Sequence, residues 1–143
     1  MKCAESTGTQ TLTIKPENII RIPQGLLGFE QYKEYVLLAN PEEAPFQWLQ
    51  VVGESGLAFL VINPFLVAPD YQPEVGPEDL RSLGLTNPQD AMVFNVVTIR
   101  GAGQVTVNLK GPIIVNRHTL VAKQVVPVNA LHYSLQFPIP VAG

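Results

Sequence analysis

At 143 residues the chain has the length of one ordinary domain and can bury roughly two-thirds of the surface its unfolded form exposes. Its 46% apolar and 15% charged residues exclude an intrinsically disordered polymer. Nine basic and twelve acidic residues give a net charge of −3 with no dense Lys/Arg cluster, so direct nucleic-acid binding, which needs several cations on one face, is not expected.

Cys3 is the single cysteine, so no internal disulfide framework exists and a reducing compartment is compatible with the sequence. With only Met1 and Lys2 before it, no apolar leader is expected, and the longest apolar run, residues 57–62, is far too short to span a bilayer. The expectation is a cytoplasmic protein without a membrane partner.

Thirteen prolines and eleven glycines cut the chain into short pieces rich in Val, Ile, Thr and aromatics. In chain order the pattern predicts strands at 10–14, 18–22, 35–39, 47–52, 57–62, 91–99, 104–109, 113–116 and 119–126. Gly53-Glu54-Ser55-Gly56 and Arg100-Gly101-Ala102-Gly103 read as hairpin loops between them. Strict alternation in 104–109 turns Val105, Val107 and Leu109 to the core and Thr106 and Asn108 outward, whereas the unbroken run 57–62 is expected to be covered on both faces. Helical signals occur twice, at 29–35 and at 77–84, the latter with Pro at its start, acids in the first turn and Gly just past its end. The fold class expected is all-β: one domain over 1–143, a β-barrel-like fold of about nine short strands with two short helices, residues 1–8 and 128–143 forming mobile ends without strand pattern.

Chemistry is sparse. Gly53-Glu54-Ser55-Gly56-Leu57 fails the nucleophile-elbow pattern at its last position. One cysteine and two histidines, His118 and His132, cannot assemble a structural zinc site. Gly101-Ala102-Gly103 lies between strands and lacks the third glycine of a dinucleotide fingerprint. The acid pairs Glu42-Glu43 and Glu78-Asp79 are sequence neighbours that do not face one another across a substrate. Neither an enzyme nor a cofactor or metal is expected. The segment that stands out runs from Asn63 to Glu74, where three prolines hold apolar bulk and acids in an extended crossover. A protein-binding edge and a loop packed over one end of the barrel account for it equally well. The candidate contact residues are Phe65, Leu66, Asp70, Tyr71, Glu74, Glu78 and Asp79.

Read together, Ile22-Pro23-Gln24-Gly25-Leu26-Leu27-Gly28-Phe29-Glu30, Trp48-Leu49-Gln50, Leu57-Ala58-Phe59, Asn63-Pro64-Phe65-Leu66, Pro69-Asp70-Tyr71, Thr106-Val107-Asn108-Leu109 with Pro112-Ile113-Ile114-Val115-Asn116, and Lys123-Gln124-Val125 resemble the bacterial flagellar assembly factor family FliW. The resemblance implies a compact, monomeric β-barrel-like domain with two protein partners: flagellin, and the small dimeric RNA-binding carbon storage regulator that represses flagellin translation. Scarce flagellin leaves the factor on the regulator; abundant flagellin captures the factor. The ends depart from the family: Tyr133-Ser134 is followed by Leu135-Gln136-Phe137-Pro138-Ile139 where basic residues are typical, and Ile22 stands where an aromatic is common. Competing readings are a small β-barrel ligand carrier or enzyme, which requires a polar pocket, and a structural subunit, which self-associates through an apolar edge.

Overall fold

The computed structural model describes residues 16–54, 56–101 and 103–139. They form nine strands, β1 (Ile20–Arg21), β2 (Glu34–Ala39), β3 (Gln47–Val51), β4 (Ala58–Ile62), β5 (Ala91–Arg100), β6 (Gln104–Val107), β7 (Ile113–Asn116), β8 (Ala122–Gln124) and β9 (Phe137–Ile139), together with the helix α1 (Pro77–Leu83). All strand pairs are antiparallel, and the sheet runs β1-β2-β3-β4-β5-β6-β9 with β7 and β8 branching from β5.

Strand β5 is the spine. Its first half, Ala91 to Phe94, pairs with β7, and its second half, Val97 to Arg100, with β6, while Val96 and Asn95 face β4. One strand serving three neighbours curls the sheet into a half-barrel. A parallel bridge between Arg21 and Val121, with the Arg21 N–H donating to Leu120 O at 2.9 Å, draws β1 toward β8 and narrows the opening. Inside lie Ile22, Tyr35, Leu49, Val61, Ile113 and Val115. A second core, Trp48, Leu60, Ile62, Tyr71, Val97, Val107, Leu109 and Ile139, fills the space between β3–β6 and the crossover, and a third, Leu83, Leu85, Ile114 and Val125, lies under α1. No residue of 57–62 is exposed, as its lack of alternation requires.

Helix α1 follows its sequence signals. Pro77 opens it, Glu78 and Asp79 meet the dipole in its first turn, and Gly84 closes it at φ +69°. The Leu85 N–H then reaches back to Leu80 O at 2.9 Å, the Schellman closure, with both leucines in one apolar cluster.

Three expectations need correction. Residues 29–35 are not helical: Phe29 donates to Leu26 O and Tyr32 to Phe29 O as separate turns, and β2 starts at Glu34. Tyr35 pairs with both Ile20 and Val51, and a helix there would sacrifice both ladders. The tail beyond Val128 does not lose strand structure, for Phe137–Ile139 is β9, pairing with β6. Pro138 is tolerated because β9 is an outer strand, with β6 its one neighbour among the described residues. The strands expected at 18–22 and 119–126 shrink to Ile20–Arg21 and Ala122–Gln124 around a turn at Leu120, whose φ is +60°. The expected strand 10–14 and the mobile end 1–8 lie outside the described residues.

Candidate functional site

The crossover from Asn63 to Val75 is more folded than its prolines suggested. Asn63 Oδ1 accepts the Phe65 N–H at 2.9 Å and starts a 3-10 turn, Pro64–Leu66. The turn pushes Phe65 and Leu66 outward, to 41% and 61% exposure. Tyr71 goes the other way. It is 2% exposed, its hydroxyl donates to Leu109 O at 2.7 Å and accepts from Asn95 Nδ2 at 3.3 Å, and its ring stacks edge-on against Tyr133 with centroids 4.7 Å apart. Burial, outweighing the Asn95 hydrogen bond, pushes its phenol up to about 12. Tyr71, one of the candidate contact residues, is therefore a pin between crossover and sheet.

The crossover is also strapped to the segment beyond β8. Val128 N–H donates to Glu74 O at 2.7 Å, the Glu74 N–H donates to Asn129 Oδ1 at 2.9 Å, Asn129 Nδ2 donates to Gln72 O at 2.9 Å, and Gln72 N–H donates to the Tyr133 hydroxyl at 3.0 Å. Between the crossover, α1 and β5 lies an apolar groove of about 560 Å³, lined by Phe65, Pro73, Val75, Leu80, Leu85 and Val93 among others.

The four acids separate. Asp70, Glu74 and Glu78 are exposed and take part in no ion pair among the described residues. Asp79 is half-buried and paired with Lys123 Nζ, joining α1 to β8. Phe65, Leu66, Asp70 and Glu74 thus sit on one crossover, Glu78 sits on the neighbouring helix, and Tyr71 and Asp79 serve the fold. Sequence reasoning missed a second surface: Leu27, Val126, Leu131 and Leu135, all exposed, line a separate groove on the β8 side. Val126 alone of the four falls in an expected strand, 119–126, and no local pattern joins it to Leu27, Leu131 and Leu135.

Among the described residues no group of three or more His, Cys, Asp or Glu side chains could hold a metal ion, and no helix is long and apolar enough to cross a membrane. The described features define a small β-barrel-like domain whose distinctive parts are surfaces: apolar grooves, protruding aliphatic side chains and unpaired acids. Comparison with known proteins gives this class a family. The family model described as FliW protein matches residues 3–139, and the chain belongs to the FliW family. It is 42% identical over 124 residues to the flagellar assembly factor FliW of Leptospira biflexa, covering 85% of this chain and 81% of that protein. It is also 42% identical over 114 residues to that of Treponema denticola, covering 79% and 77%. A crystal structure of the flagellar assembly factor FliW superposes with a TM-score of 0.79 at 32% identity, covering 89% of this chain and 87% of the other.

Proposed function

We propose that this chain is a non-enzymatic flagellar assembly factor of the cytoplasm. It acts by binding flagellin and, in exchange, the dimeric RNA-binding carbon storage regulator, lifting the regulator's repression of flagellin translation. The observation that carries the reading is the family match along nearly the whole chain. The crossover supports it: Phe65 and Leu66 protrude beside an apolar groove, and Asp70, Glu74 and Glu78 carry charge that no neighbour among the described residues neutralises. Apolar anchors ringed by charge are the usual composition of a protein-binding surface, and acids suit a regulator whose RNA-binding face must be basic.

A domain of this size has few places for two standard interfaces of about 800 Å² each, so the two partners compete for the crossover surface. Affinity capture with the purified monomer from the cytosol of the source cell tests the reading. Flagellin and a small RNA-binding protein are the expected partners, and their absence from cells known to be making both would refute it.

A further inference from the structure

Asparagines open several turns in this chain, and one of them behaves differently from the rest. Asn40, Asn63 and Asn87 each stand before a 3-10 turn with extended backbone, and each Oδ1 accepts the N–H two residues on, from Glu42, Phe65 and Gln89 at 2.9 to 3.0 Å. Asn129 stands before the turn Ala130–His132, yet at φ −97° and ψ 30° its side chain makes no cap. Its amide reaches instead to the crossover, 55 to 57 positions earlier in the chain, where Oδ1 accepts from Glu74 N–H and Nδ2 donates to Gln72 O, both at 2.9 Å.

A C=O on the residue before Pro73 and an N–H on the residue after it are the two groups that a parallel β neighbour pairs with. The Asn129 amide supplies the matching donor and acceptor from a side chain. Pro73 has no N–H and loses nothing by standing between them. The outer groups go to the same segment: Gln72 N–H donates to the Tyr133 hydroxyl at 3.0 Å, and Glu74 O accepts from Val128 N–H at 2.7 Å. All four backbone polar groups of Gln72 and Glu74 therefore end on residues 128–133, although residues 72–74 belong to no strand. The segment that receives them is itself anchored, because it runs between β8 and β9 and Ser134 O accepts from Leu109 N–H at 2.9 Å. Ring contacts carry its position onward: Tyr133 lies edge-on to Tyr71 at 4.7 Å, and Tyr71 to Phe65 at 5.9 Å between centroids.

We propose that Asn129 is a positioning residue for the crossover: its amide takes the place of a strand partner, so that residues 72–74 and 128–133 order as one unit and fix how Phe65, Leu66, Asp70 and Glu74 are presented. Its bearing on partner binding rests on the function proposed above; its part in the fold does not. A cap for one loop residue would act on Glu74 alone. A positioning role makes the neighbouring bonds, from Gln72 to Tyr133 and from Val128 to Glu74, depend on Asn129 although it takes part in neither.

Amide hydrogen exchange of the full chain, followed residue by residue by NMR, tests this without any partner, so its failure is distinct from a failure of the proposed function. The amides to read in Asn129→Ala are Gln72 and Val128, whose own acceptors, the Tyr133 hydroxyl and Glu74 O, the substitution leaves in place. Both are expected to exchange at least about tenfold faster and by a common factor, while the ladder amides of β2 and β3 keep their wild-type rates. Asn129→Asp keeps an oxygen for Glu74 N–H but sets a carboxylate against Gln72 O, and is expected to match the alanine variant at Gln72 and Val128. Asn87→Ala, which strips a cap from its own turn, is expected to speed exchange at Gln89 and leave Gln72 and Val128 unchanged. Wild-type rates at Gln72 and Val128 in both Asn129 variants would overturn the proposal and reduce Asn129 to a cap for Glu74. A rise of equal size across β2 and β3 would also overturn it, making Asn129 a contributor to overall stability with no particular hold on the crossover.

Discussion

Removing one oxygen, in Tyr71→Phe, separates the pin from the binding surface. The ring keeps its place against Tyr133 and Phe65, while the variant loses the 2.7 Å hydrogen bond to Leu109 O and the contact from Asn95. Leu109 O is left without that donor, whereas Asn95 Nδ2 keeps Asn108 O at 2.8 Å. One buried acceptor stripped of its donor costs about 2 kcal/mol, a fall of roughly 6 °C in melting temperature for a domain of this size. The pH dependence supplies a second signature. With its phenol pushed up to about 12 by burial, Tyr71 is more easily kept neutral when folded than when unfolded. That contribution is intact below the unfolded value near 10 and drains away as pH rises from 10 to 12, by roughly 2–3 kcal/mol in all. Tyr35, also raised by burial, is common to both proteins and cancels. Urea unfolding of both proteins at pH 7 and at steps up to pH 11.5 should show a gap of about 2 kcal/mol that narrows above pH 10. A gap under about 0.5 kcal/mol at pH 7, or one that does not narrow, would refute the reasoning.

The half-buried Asp79–Lys123 pair should show a coupling of about 1 kcal/mol in a double-mutant cycle with Asp79→Asn and Lys123→Met, measured by urea denaturation. Gly25→Ala should cost at least about 2 kcal/mol, because at φ +68° its Cβ would stand 2.5 Å from Glu30 Cα. Gly103→Ala, also at positive φ but in open space, should cost only about 1 kcal/mol, and thermal melts of the two separate clash from backbone strain. Reversing Asp70 and Glu74 to lysine should slow association with the carbon storage regulator more than it speeds dissociation, and raising salt should do the same to the wild type; stopped-flow rates insensitive to both would count against the electrostatic role.

Much of the fold was legible because its signals are local. Turn glycines flanking apolar runs marked the hairpins, Gly53 and Gly103 both having positive φ, and α1 carried its proline start and glycine stop. What stayed hidden was decided at long range. Phe29 and Tyr32 have helical spacing, yet their neighbour Tyr35 gains two ladder partners by remaining in a strand. A proline inside 137–139 argues against a strand until β9 is known to lie on the outside. Tyr71 stood among the candidate contact residues because nothing near it announces Leu109 or Tyr133, 38 and 62 residues away, as its partners. The crossover was recognisable as a candidate surface from its composition; the Leu27 and Leu131 groove required the tertiary structure to bring its walls together.

The account rests on a partner switch, and a competition titration tests it most directly. A fluorescently labelled regulator is bound to this protein, and purified flagellin is added while anisotropy and sedimentation are followed. The account predicts that flagellin releases free regulator, with apparent regulator affinity falling in proportion to flagellin occupancy. One stable complex containing all three proteins, with neither partner's affinity reduced, would contradict it.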